Sequence, residues 1–115
     1  MIRIKDNEVA LEIFERASIE QAEATEQGNY KVGNKCYKEI KKAIDFLKKN
    51  NALEILDICL NNHFVGVRLW AAYYLLPIRE KESMKILEEI AQGTGIHSLT
   101  AETTLNEWTK GTLKF

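Results

Sequence analysis

Apolar residues recur at helical intervals along nearly the whole chain, and in one stretch they cease to form a stripe. Residues 64–76 read FVGVRLWAAYYLL, with Arg68 as the single charge. At about 100° per residue, Val65, Leu69, Ala72 and Leu76 fall on one side, and Val67, Trp70, Ala71 and Tyr74 on the other. A helix that is apolar all round has to be surrounded by other elements. The run therefore predicts the central helix of an all-helical domain.

The rest of the pattern is amphipathic. Residues 1–5 alternate Ile2 and Ile4 with Arg3 and Lys5, an arm too short to seed a sheet and expected to lie across a helix. A first helix is predicted over residues 7–27, ended by Gly28 at the position after the cap. Ala10, Ile13, Phe14, Ala17, Gln21 and Ala24 make its buried stripe. Glu8, Glu12, Glu15, Glu23 and Glu26 occupy the opposite face, with Ile19 among them. Ile19 reads as a scattered surface hydrophobe or, more sharply, as an anchor for a partner.

The second helix is predicted over residues 30–49, burying Cys36, Tyr37, Ile40, Ala43, Ile44 and Leu47. Opposite that stripe Lys31, Lys35, Lys38, Lys42 and Lys49 follow one line. Asn50-Asn51 marks a turn, and a short helix over residues 52–60 points Leu53, Leu56 and Leu60 inward. Asn62 is the expected N-cap of the central helix, and Pro77 follows it where helices commonly stop. A fifth helix over residues 81–92 buries Met84, Leu87, Ile90 and Ala91. The sixth begins near Ser98, a candidate N-cap, buries Ala101, Leu105 and Trp108, and stops at Gly111. Leu113 and Phe115 remain for docking of the tail. The expectation is all-α: one domain over residues 1–115, with about six helices in three antiparallel hairpins.

The segment Val67-Arg68, Ala71-Ala72 and Leu75, preceded by the turn at Asn61-Asn62, is similar to the second helix of a HEAT-like repeat. Where that pattern commonly has Asp in the turn, this chain has Asn. QAEATEQGNYKVGNKCYKEI over residues 21–40, the core over residues 67–76, and AETTLNEWTKGTLK over residues 101–114 come in the same order as in a family of small bacterial HEAT-like domains. The resemblance implies a right-handed helical stack (an α-α superhelix) and no defined activity or ligand. It also implies a structural role for Arg68 as a tie between repeats.

Charge and composition then narrow the function. Net charge is −1 over 115 residues, so attraction of the whole molecule to nucleic acid or anionic membrane is not implied. The charge is nevertheless polarised. Residues 29–50 carry seven Lys against Glu39 and Asp45, and residues 1–28 carry seven acids against three bases. Adjacent ridges of opposite sign can be solvated faces that help the two helices pair. They can also be contact surfaces, which makes Glu12, Glu15, Ile19, Glu23, Lys31, Lys35, Lys38 and Lys42 the candidate partner contacts. No aromatic interrupts the lysine line, so base stacking is not on offer there and nucleic acid is the lesser reading. Arg68, Trp70 and Trp108 are assigned to structure, with Arg68 expected to pair with Asp57, Glu102 or a helix carbonyl end. The groove between the fourth and sixth helices, with Trp70 and Trp108, is a weaker candidate for a small molecule.

Catalytic arrangements are poorly supported. His63 and His97 lack ligand-spaced neighbours, and neighbouring residues on a helix, such as His97 and Ser98, diverge. Gly93-Thr94-Gly95 lacks the strand and GK[ST] ending of a phosphate loop. No apolar run approaches the roughly 20 residues that span a bilayer, and residues 1–8 lack the apolar stretch of a secretory signal. Cys36 and Cys59 lack CxxC spacing, which favours reduced thiols over a disulfide and a cytoplasmic location. The reading is a non-enzymatic protein-interaction module without cofactor or metal, of immunity or antitoxin type in its most concrete form. The expected state is a monomer or weak homo-oligomer.

Overall fold

The structure, a computed structural model, describes residues 3–115; of the N-terminal arm, Met1 and Ile2 lie outside the described residues. Five α-helices and one 3-10 helix make up the fold, with no strand among the described residues. They are α1 (Asn7–Glu26), α2 (Tyr30–Lys49), the 3-10 segment (Leu53–Asn61), α3 (Val65–Leu75), α4 (Glu80–Ala91) and α5 (Ile96–Lys110). Successive elements pair, α1 with α2, the 3-10 segment with α3, and α4 with α5.

Local chemistry sets the ends of these elements. Asp6 Oδ1 accepts from the Val9 N–H at 2.8 Å and Asn29 Oδ1 from the Val32 N–H at 3.2 Å, which satisfies one orphan donor at each N-terminus. Gly28 and Gly111 stop α1 and α5 in the left-handed region, at φ 72° and 75°. Two expected caps are displaced. Asn62 sits before the cap, its Oδ1 accepting from the Phe64 N–H at 2.9 Å while Phe64 occupies the cap itself. Ser98 lies inside α5, its hydroxyl donating to the Ile90 carbonyl at 2.7 Å, and Gly95 is the cap.

Residues 53–61 wind as a 3-10 helix and not as the expected α-helix. Leu53, Leu56 and Cys59 are spaced by three, and at three residues per turn they fall into one row. Leu56 and Cys59 are buried, while Ile58 stays 71% exposed.

α3 is the hub, packed against α1, the 3-10 segment, α4 and α5. Its residues Val67, Leu69, Ala71, Ala72, Tyr74 and Leu75 are all buried. α1 packs directly on α3, and α2 reaches it by side chains such as Tyr37. A Cβ on Gly66 would stand 2.7 Å from Ala22 Cβ and 2.8 Å from the Ser18 carbonyl oxygen. Glycine there is what lets α1 and α3 cross so closely. Ser18 and Ala22 are consequently buried, although the stripe predicted for the first helix omits both.

Candidate functional site

The outer faces of α1 and α2 carry the charged ridges. Lys31, Lys35, Lys38 and Lys42 are exposed, as are Glu12, Glu15 and Glu23. The acidic ridge is partly committed inside the molecule. Glu15 Oε2 accepts from Asn62 Nδ2 at 2.8 Å, and Glu26 Oε2 stands 3.4 Å from His97 Nε2. Ile19 does not stand alone on this ridge; it is half-buried and packs against the core.

Between the ridges, Arg16 donates to Glu20 at 3.3 Å and to Glu39 at 3.1 Å. The hydrogen bond to Glu39 is the main reason its guanidinium is held above its ordinary pKa. The ligand-capable atoms of Glu20, Cys36 and Glu39 lie within 4.8 Å of one another. A cation already bridges the two carboxylates, and burial, then Glu20 and Glu39, push the Cys36 thiol up. A protonated thiol beside an occupied carboxylate pair fits an ion-pair cluster better than a metal site.

Arg68 is half-buried and takes neither expected carboxylate. Its Nη1 donates to the carbonyls of Asn62 at 2.8 Å and His63 at 3.1 Å. Asn62 caps the 3-10 segment, so Arg68 takes the expected helix carbonyl end and ties its own helix to the turn that precedes it. Asp57 goes instead to Arg79, whose Nε and Nη2 lie 3.2 and 3.1 Å from Asp57 Oδ2. The Ser98 hydroxyl, committed to the Ile90 carbonyl, is not aimed at His97.

The aromatic residues gather on one side of α3. Trp70 lies 5.6 Å from Tyr37, 5.7 Å from Tyr73 and 6.0 Å from Tyr74, centroid to centroid. The tail closes the cluster, with Phe115 5.1 Å from Tyr73 and 6.2 Å from Trp108. Trp70 Nε1 donates to Gln21 Oε1 at 3.1 Å, and Trp108 Nε1 to Glu80 Oε2 at 2.7 Å. Tyr37, placed in the buried stripe of the second helix by its spacing, is 41% exposed. A recess of about 110 Å³ opens here, lined by Tyr37, Leu69, Trp70, Tyr73, Thr100 and Thr104. It lies between the predicted pair of helices, but Trp108 is not part of its wall. Spacing along one helix could not show that recess, because its walls come from three.

No protein-family model matches the chain, and no curated protein or solved structure matches it. Among the described residues, no helix is long and apolar enough to cross a membrane.

Proposed function

We propose that this chain is a non-enzymatic protein-interaction module, built as a HEAT-like right-handed stack of three helical pairs, that presents the outer face of α2 to an acidic partner surface. The observation that carries this reading is the exposed line of Lys31, Lys35, Lys38 and Lys42. It faces outward from a helix whose inner side, Ile40, Ala43, Ile44 and Leu47, is wholly committed to the core. Such a rigid basic face raises association rates with an acidic partner and fixes orientation. The immunity-type form of the module, in which Glu12 and Glu23 cover a basic partner, uses the opposite ridge, where Glu15 accepts from Asn62 and Glu26 faces His97.

Capture with crosslinking from the source cell tests the proposal, using the wild type, Lys35→Glu/Lys38→Glu and Glu12→Lys/Glu23→Lys. A partner lost only with the lysine variant supports it. A partner lost only with the glutamate variant moves the contact to α1, and absence of any partner overturns the module reading.

The uninterrupted lysine line also favours a second reading, binding to a phosphate backbone. Five contacts through Lys31, Lys35, Lys38, Lys42 and Lys49 would weaken duplex binding roughly 500-fold between about 50 and 200 mM salt. Absence of binding at the lower salt ends that reading.

A further inference from the structure

The aromatic recess has a chemistry that the charged ridges do not explain. Tyr37, Trp70 and Tyr73 wall it from different directions, with interplanar angles of 46° between Tyr37 and Trp70 and 75° between Trp70 and Tyr73. Leu69, Thr100 and Thr104 complete the lining, so no formally charged side chain is part of it.

Apart from the Tyr37 hydroxyl, the hydrogen-bond donors around the recess are already spent. The Trp70 indole N–H goes to Gln21 Oε1, and the Tyr73 hydroxyl donates to the Lys114 carbonyl at 2.6 Å. Thr100 donates to the Ile96 carbonyl at 3.0 Å and Thr104 to the Thr100 carbonyl at 2.8 Å. What remains toward the recess is electron-rich: π systems, and hydroxyl oxygens with lone pairs left over. An anion would meet one neutral donor, the Tyr37 hydroxyl, and no positive charge. An ordinary ammonium or a metal ion would lose a tightly held water shell for a few neutral hydroxyl acceptors. A cation without N–H groups, its charge spread over methyls, loses least on entry and gains from the rings.

Size agrees. About 110 Å³ holds roughly four water-sized groups at ~30 Å³ each, the bulk of a nitrogen bearing three methyls. A cation already stands near a ring of the cluster, since Lys41 Nζ, 4.0 Å from Asp45 Oδ1, lies 6.0 Å from the Tyr74 centroid. Tyr74 does not line the recess, so that lysine does not fill it. The recess shares Tyr73, Thr100 and Thr104 with a neighbouring open trough that includes Leu99, Glu107 and Leu113.

We propose that the recess formed by Tyr37, Trp70 and Tyr73 against Thr100 and Thr104 is a binding site for a quaternary ammonium group. It is independent of the lysine ridge and of the partner assigned to that ridge.

The test follows the two tryptophan indole N–H signals by NMR at fixed ionic strength, with Trp108→Phe to assign them. Choline chloride and an Nε-trimethyllysine amide are the probes, and their relative affinity assigns the source of the ammonium group. The expected result is a saturable shift of the Trp70 signal with Trp108 little moved, since Trp108 lies outside the recess. The uncharged isostere 3,3-dimethylbutan-1-ol is expected to bind at least about fivefold more weakly than choline. Tyr37→Leu should weaken choline binding by a similar factor while Tyr37→Phe preserves it, with helical circular dichroism unchanged in both. Equal binding of the neutral isostere overturns the proposal, as does wild-type affinity in Tyr37→Leu. Absence of any saturable shift up to about 100 mM of both probes also overturns it.

Discussion

At the scale of single residues, the positions that matter most are those where the chain leaves no room. Gly66 is the sharpest case. Its missing Cβ would press on the Ser18 carbonyl and the Ala22 Cβ, and neither can move without α1. Gly66→Ala is therefore expected to lower stability by about 1–3 kcal/mol, read as a fall in the urea midpoint. Ala22→Gly in the same chain should recover only part of that, since the carbonyl contact stays. Cys59 makes a second prediction. Burial, then the Glu15 carboxylate, push its thiol from 9.0 up to about 11. The unfolded chain loses that proton first, so between pH 9 and 11 the folded protein holds more protons. Stability due to this group is flat below about pH 9 and falls as pH rises toward 11. Between pH 8 and 10.5 the loss is expected to be about 2 kcal/mol, measured as the difference in urea unfolding between the wild type and Cys59→Val. Buried Tyr74 is also pushed up, chiefly by burial, and adds a fall of the same sign above pH 10 that both proteins share. Arg68 shows what residue-level reading misses. That a guanidinium in an apolar arc must be paired was legible from the sequence. A helix carbonyl end was among the expected partners, and the Asn62 carbonyl that caps the 3-10 segment is one; that the His63 carbonyl would serve beside it was not legible, because the path of that turn depends on where the 3-10 segment ends.

At the scale of elements, amphipathic spacing carried the description furthest where one face met one neighbour. The bounds expected for α2 coincide with those found, and its buried residues match except for Tyr37 and the unforeseen Gly33. Spacing failed where an element has two packing faces or a different pitch. α1 buries Ser18 and Ala22 as well as its predicted stripe, in which Gln21 is only half-buried, since α2 and α3 flank it on different sides. The residues after Asn51 wind tighter than an α-helix, which a short apolar run cannot reveal. Cap chemistry separates the helices too. α1 and α2 start on side-chain caps, whereas α5 starts on Gly95 at φ 102° and ψ −173° without one. Serine is a good cap at an ordinary position, but this conformation is close to glycine's alone. Gly95→Ser is accordingly expected to destabilise by about 1–3 kcal/mol, and Asp6→Ala by about 1 kcal/mol. Thermal or urea unfolding checks both, and a gain in stability from Gly95→Ser would show that the N-terminus of α5 relaxes to an ordinary cap.

At the scale of the molecule, the two ends of the chain are held very differently. α1, α2 and α3 share large buried side chains, among them Phe14, Ile40, Ile44, Leu47, Tyr74 and Leu75. The buried residues of α5 are Ser98, Ala101 and Thr104, all small. Its larger anchors, Leu105 and Trp108, are half-buried, and Trp108 leans on Phe115 of the tail. Phe115 in turn rests on Tyr73, whose hydroxyl donates to the neighbouring Lys114 carbonyl. The tail is therefore a clasp between α3 and α5, a role that the docking of Leu113 and Phe115 anticipated without specifying its target. Little apolar burial per residue means a low local opening energy. Native-state hydrogen exchange is expected to show the amides of α5 opening before those of α1, α2 and α3, by roughly tenfold or more in protection. Removing residues 112–115 should lower protection in α5 further while leaving the α1–α2 pair nearly unchanged. Equal protection across all helices would mean that the six elements open as one unit and that the small-residue packing of α5 is compensated by its contact with α4. An α5 that opens first would also take Thr100 and Thr104 with it, so the aromatic recess would be a property of the docked state and its occupant would slow exchange in that helix.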